Sequence, residues 1–316
     1  MKEVSKKTFS SRIPLLGSLL QWSKQKSFPG FQGVPIYDVV KFTLEELKRD
    51  ALLTRAAAIS FRILLSLFPA MLVLFAIIPL IPIHGFGNTL LDQLQGIMPE
   101  EAFHLISSSM HEIATRIHPG ILSIGVLLSI NFSVQAVLGL VGSFNKTHFT
   151  FRRRSGFQRI LVAFKITGLL FLLFLVSVFF VIYGGRLVRT FMHHAGATSA
   201  FTFLSLSVLK WLIIIFFYYL GISLIYFYGP AVNTRWRFFS AGSTLATMLS
   251  IIVSVLFSFF INNFGRLNQI FGSIGALIMI MLWILYNSLS LLIGFELNTS
   301  IDFNKQKRKD PPDPAS

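Results

Sequence analysis

Four strongly polar side chains fall deep inside stretches that are otherwise hydrocarbon: Asn131, Gln135, Lys210 and Asn287. Polar groups are expensive in lipid, so each must hydrogen-bond a neighbouring helix or face a cavity. Asn131 and Gln135 are one turn apart and share a helix face. Asn287 interrupts IGALIMIMLWILYNSLSLLIGF near its middle. Two chemistries fit this layer. The amides are either interhelical hydrogen bonds, worth about 0.6–2 kcal/mol each, or the wall of a midplane cavity such as broken helices build in transporters. Pro69, in LLSLFPAML, belongs to the same layer. It removes a backbone donor, frees the carbonyl of Leu65 and predicts a kink, with Ser66 placed to satisfy the disturbed turn. Lys210 is the deepest cation, roughly 10 Å from its boundary. It either snorkels back to headgroups or faces a lumen.

A carboxylate, Glu296, closes the Asn287 stretch. Its position predicts a place at the membrane boundary, as a structural anchor. Arg62, Lys165, Arg235 and Arg237 are its expected partners there. Arg62 and Lys165 each lie about one turn inside that boundary, close enough to snorkel. Metal chemistry finds no support. His104, His111 and His118 recur every seven residues, but neighbours are then about 10.5 Å apart along a helix and cannot share one zinc with ligand bonds of about 2 Å. The chain has no cysteine, which excludes disulfides and thiol nucleophiles. No HExxH, Walker or GxSxG pattern occurs. No metal or cofactor is expected, and no enzymatic activity.

The elements that must hold these residues follow from hydropathy and charge. Of 316 residues, 53% are hydrophobic and 13% charged, about half the charged share of a soluble domain. Six windows reach the roughly 20 apolar residues that a bilayer-spanning helix needs: about 58–81, 120–141, 160–183, 203–227, 239–261 and 274–296. The net charge of +15 is explained by placement. Lys and Arg crowd the N-terminal segment, the connection Lys146–Arg159, the pair Arg235/Arg237 and the tail Lys305–Lys309, whereas the alternate connections hold only Arg116, Arg186, Arg189 and Arg266. The positive-inside rule puts both termini in the cytoplasm. No nucleic-acid partner is needed to account for the charge. The FRRRSGF run is placed to touch anionic headgroups.

Two further segments are expected to be helical. Val40, Leu44, Leu47 and Ala51 make an apolar stripe on Tyr37–Ala58, either an interfacial helix or a solvated one. Residues 84–118, with Phe103, Ile106, Met110, Ile113 and Ile117 on one stripe, predict an extracytoplasmic helical segment between spans 1 and 2. The chain thus divides into an N-terminal cytoplasmic segment over 1–37, partly disordered, a membrane domain over 38–303 and a disordered tail over 304–316. The fold class is all-α: a polytopic membrane protein, with six transmembrane helices and both termini cytoplasmic.

Three stretches, in order, resemble the YihY/virulence-factor BrkB family of bacterial inner-membrane proteins. They are RAAAISFRILLSLFPAMLVLF around span 1, GPAVNTRWRFFSAGSTLAT entering span 5, and FGSIGALIMIMLWILYNSLSLLIGFELN. In the last, Gly272, Ser273, Gly275, Trp283, Gly294, Glu296 and Asn298 occupy matching places, while Phe271 replaces a tyrosine and Phe295 an alanine. The resemblance covers about 38–302. It implies a six-span protein of the bacterial inner membrane, with transport or lipid translocation as the suspected role. Family members have also carried a ribonuclease label. The expected function is translocation of a lipid or other amphiphile of unknown identity. The alternative is an envelope scaffold or assembly factor. Expected partners are membrane lipids, with anionic lipid at the basic rim, and a second copy of the chain if one cannot enclose a pathway.

Overall fold

The computed structural model describes residues 21–27, 30–49, 51–77, 91, 103–104, 107–108, 119–144, 152, 154–194, 199–232, 236–264 and 273–309. Long helices dominate: α1 (Ile36–Arg49), α2 (Leu52–Ile77), α3 (Pro119–Ser143), α4 (Gly156–His194), α5 (Ser199–Tyr228), α6 (Ala241–Phe264) and α7 (Ser273–Lys309). Five of them, α3 to α7, are long and apolar enough to cross a membrane. The expected class, an all-helical polytopic membrane protein, is the one observed. Most of the segment expected to form a cap between the first two spans lies outside the described residues. Residues 103–104 and 107–108 within it are helical.

The helix ends follow local chemistry. Ser155 and Gln158 form a reciprocal capping box at the start of α4. The Ser155 N–H donates to Gln158 Oε1 (3.1 Å) and the Gln158 N–H to Ser155 Oγ (3.3 Å). Ser240 caps α6 by accepting the Ser243 N–H on its Oγ at 3.1 Å. Gly229–Pro230 stops α5, since proline cannot continue a helix. Its last carbonyls are satisfied by Arg154, which donates to the oxygens of Tyr228, Gly229 and Pro230 at 3.3, 2.6 and 3.0 Å. A guanidinium at the negative end of the helix dipole is favourable.

Each helix from α2 to α6 packs on its successor, and α7 packs on both α6 and α2. Six helices therefore close into a ring, with α1 outside it against α7. The seal is at α6 and α7. A Cβ on Gly242 would lie 2.1 Å from the Gly294 carbonyl oxygen, and one on Gly294 would lie 2.5 Å from that of Gly242. Only two glycines permit such an approach. Beside it, Phe295 stacks on Phe144 of the loop after α3 (ring centroids 4.3 Å) and meets Trp236 at 5.6 Å. Tyr226 of α5 abuts Phe144 edge-on at 5.9 Å. The Phe295 ring, in place of the alanine the motif leads one to expect, fills the centre of this core and is completely buried.

Packing is uneven along the ring. Most fully buried side chains gather at the end that carries α1 and the C-terminal part of α7, called the basic end below. The opposite halves of the helices expose large apolar residues, among them Leu127 (69%), Leu256 (62%) and Phe259 (65%).

One expectation needs correction at the basic end. Helix α7 does not stop at 303 but continues to Lys309. It is held there by α1: Ser300 Oγ donates to the Val39 carbonyl (2.8 Å), Phe42 stacks on Phe303 at 4.5 Å, and Arg308 pairs with Asp38 at 3.3 Å. Helix α1 turns Val39 and Thr43 inward, and Val40 and Leu44 of the expected stripe stay exposed. Helix α2 begins at Leu52, and Leu52, Ala56 and Ile59 belong to the core.

The glycine seal generates a contrast. Gly294→Ala forces a Cβ into backbone and should lower stability by about 1–3 kcal/mol or more. Nothing lies within 4 Å of a Cβ on Gly142, so Gly142→Ala should raise stability by roughly 0.4–1 kcal/mol. Thermal unfolding of the purified protein in detergent checks both signs.

Candidate functional site

The deep polar residues do not converge on one point. Asn287 belongs to a seam between α5, α6 and α7. Its Nδ2 donates to the Trp283 carbonyl (2.8 Å), and its Oδ1 accepts from the Tyr218 hydroxyl at 3.4 Å. Trp283 Nε1 donates to Ser254 Oγ of α6 at 3.1 Å. Two turns nearer the basic end, Tyr226 donates to the Leu291 carbonyl at 2.5 Å. Tyr218 and Tyr226 are thus parallel crosslinks from α5 to α7. Asn287 is half-buried and serves as helix-to-helix glue.

Asn298 completes the seam at its basic end. Its Oδ1 accepts the Gly242 N–H (2.8 Å), and its Nδ2 donates to Ser240 Oγ (2.9 Å). An amide on α7 therefore caps the start of α6, where free N–H groups would otherwise be orphaned. Glu296 lies between this cap and the glycine contact. It is completely buried, within electrostatic reach of the Tyr226 phenol. This overturns the expected solvated boundary position. The helix continues beyond Glu296 under the cover of α1, which helps bury the carboxylate.

Two of the cations expected around Glu296, Arg62 and Lys165, make other contacts. Arg62 lies across α3. Its side chain occupies the space over Gly139, where a Cβ would come within 2.7 Å of Arg62 Cδ, and Nη1 donates to the Gln135 carbonyl at 3.5 Å. Lys165 sits over the Tyr228 ring, 4.1 Å from its centroid, in a cation–π contact. Arg237 is exposed, and Arg235 lies outside the described residues. Arg154, in the run expected to touch headgroups, is bound to the end of α5. Burial first, and Arg152 second, lower its pKa from the usual guanidinium range.

A groove opens between α2, α3 and α4. It encloses about 390 Å³, and Ser66, Ile130, Ser133, Phe164, Gly168 and Phe171 are among its lining residues. Ser66 Oγ donates to the Ile63 carbonyl, within the turn before Pro69, at 2.7 Å. Pro69 lies within the continuous helix α2. Asn131 and Gln135 are exposed on α3, and Lys210 is half-buried on α5. Of the residues singled out in the sequence, only Ser66 is on the groove wall; Arg62 stands one turn from it. Tyr218, Tyr226 and Gly168 escaped attention because they sit in runs crowded with aromatic and aliphatic residues.

Residues 43–316 match the sequence profile described as virulence factor BrkB. A Bacillus subtilis (strain 168) protein, YfkH, whose printed name calls it ribonuclease-like, is 26% identical over 261 residues, 82% of this chain and 92% of the relative. Proteins named UPF0761 membrane protein, from Xanthomonas campestris pv. campestris (strain B100) and Xanthomonas axonopodis pv. citri (strain 306), are each 36% identical over 80 residues. That stretch is 25% of this chain and 19% of either relative, so the chain spans about a fifth of the Xanthomonas proteins it matches. No solved structure matches. The chain belongs to the virulence factor BrkB family and is a membrane protein.

The Tyr218–Asn287 pair can be measured directly. Tyr218→Phe and Asn287→Leu should each cost about 0.6–1.7 kcal/mol, as interhelical bonds in membranes do. Because both remove the same bond, the double variant should cost clearly less than their sum. A double-mutant cycle on unfolding in detergent or bicelles reads the coupling.

Proposed function

We propose that this BrkB-family protein moves an amphiphilic molecule across the membrane in which it sits, and that it is not an enzyme. It spans the bilayer six times, α2 to α7, with both termini in the cytoplasm. The observation that supports the reading is the uneven packing of the ring. At the basic end α6 and α7 touch backbone to backbone beside a cluster of buried side chains; in the other half the described residues include large exposed side chains such as Leu127, Leu256 and Phe259. A ring fastened at one end fits the rocking of helices by which alternating access works. The distribution of Lys and Arg supports the orientation and an inner-membrane location. Lys210, in the half away from that fastening, would attract an anionic group.

A second reading has its own support. Val40 (45%) and Leu44 (52%) leave an apolar stripe uncovered on α1, which suits a scaffold that holds an assembly partner. It ranks second because the stripe is short and Lys41 and Lys48 lie on the same helix, as on a helix that rests on headgroups. The ribonuclease-like name of the Bacillus relative does not extend to the proposal.

Reconstitution tests it. In sealed vesicles carrying fluorescent phospholipids in both leaflets, protein-containing vesicles should expose inner-leaflet probe to an external quencher faster than protein-free ones. Lys210→Leu should slow the movement. A properly inserted protein that leaves the probe distribution at the protein-free rate for phospholipids, lysolipids and fatty acids alike would defeat the translocation reading. Metal-dependent RNA cleavage by the purified protein would defeat the non-enzymatic one.

A further inference from the structure

We infer that the groove between α2, α3 and α4 binds one anionic glycerophospholipid, with an acyl chain in the groove and the headgroup phosphate on Arg62. The inference rests on the translocation reading and names its ligand class. Three observations carry it.

The first is the chemistry of the wall. Ile130, Phe164 and Phe171 supply hydrocarbon. Two of the hydroxyls that interrupt it are turned back on their own helices: Ser66 donates to Ile63, and Thr167 Oγ1 donates to the Ala163 carbonyl at 2.8 Å. A surface whose polar atoms are already satisfied offers little to water or a hydrophilic solute. It suits a chain of methylenes.

The second is the space. A volume of about 390 Å³ falls within the range of small-molecule sites, roughly 300–1,000 Å³. Gly168 opens it: nothing lies within 4 Å of a Cβ built there. The residue is missing a side chain where one would fit, and a larger side chain would occupy the groove rather than collide with protein.

The third is the charge at the rim. Arg62 precedes Ser66 by one turn and crosses to α3 beside Ala136 and Val137, which also line the groove. Gly139 lets the side chain lie flat there. Arg62 is exposed, and its one described hydrogen bond is long, 3.5 Å. A guanidinium has five donors in a planar fork, so most remain available, and that fork matches phosphate oxygens bidentately. This contact must set the selectivity. An acyl chain that enters the groove leaves one hydrocarbon environment for another, so hydrophobic burial discriminates little. A phosphate gains a cation at the level where headgroups end.

The test is photolabelling in vesicles of phosphatidylcholine that contain a minor fraction of phosphatidylglycerol with a diazirine on its acyl chain. Peptide mapping should place label on α3 and α4 groove residues well above the level on Leu256 and Phe259 of α6, exposed positions that report bulk lipid. Gly168→Leu should lower groove labelling by about an order of magnitude and leave α6 labelling unchanged. Ser66→Leu is a second filler if Gly168→Leu does not fold. Arg62→Gln should abolish the preference for the phosphatidylglycerol probe over its phosphatidylcholine counterpart, and Arg62→Lys should keep part of it. Equal labelling of groove and α6, or groove labelling indifferent to both fillers, would mean bulk lipid only and overturn the site. Equal labelling by the two headgroups in the unmodified protein would overturn the anionic assignment. Labelling needs no transport, so a labelled groove in a protein that moves no lipid would sink the translocation reading and leave the site standing.

Discussion

Two backbones in contact at Gly242 and Gly294 set the geometry of everything around them. At that separation no side chain stands between α6 and α7, so their relative position is fixed by main-chain atoms rather than by adaptable rotamers. Asn298 can then reach the first N–H groups of α6, and Phe295 can enter the gap between Phe144 and Trp236. In lipid, helices are not driven together by the hydrophobic effect, and close van der Waals approach and hydrogen bonds must do the work. The close approach is at Gly294, and the interhelical hydrogen bonds of α7 run from Trp283 to Ser300. The same helix closes the ring against α2 and carries α1 on its extension.

Charge does more here than set topology. A count of lysines and arginines predicts orientation, yet individual cations have particular duties. Arg154 holds three consecutive carbonyls at the end of α5 and so ties the α3–α4 connection to the α5–α6 connection. Arg308 fastens α1 to α7. Lys165 rests on an aromatic face. Arg62 makes one described hydrogen bond, to the Gln135 carbonyl at 3.5 Å. Polar side chains within the helices divide in the same way. Tyr218, Tyr226, Asn287 and Asn298 join helices, whereas Ser66 and Thr167 bond only to their own.

The sequence made the helices legible because hydrocarbon length is a strong signal, and the described spans lie close to their expected windows. It marked Asn287 as glue or cavity wall, and Asn287 accepts a hydrogen bond from Tyr218 of α5. What it could not show were relations between distant segments. Glu296 looked solvated because the apolar run ends there, and only the continuation of α7 beneath α1 buries it. The stripe Val40–Leu44 pointed to an interfacial or solvated helix, and nothing in its periodicity showed that Val39 and Phe42 would pack against α7. Gly168 carried no signal, since an empty space beside a glycine exists only in three dimensions.

The translocation reading predicts a ring that is held at the basic end by the Gly242–Gly294 contact and moves more at the other. The chain has no cysteine, so pairs of cysteines can be introduced without background and labelled with nitroxides. One pair belongs on Leu53 and Phe157 at the basic end and another on Ile124 and Phe259 in the other half, all exposed. Pulsed electron–electron distance measurements in lipid nanodiscs should give a narrow distribution for the first pair and a broad or multiple one for the second. Equally narrow distributions at both ends would contradict the account.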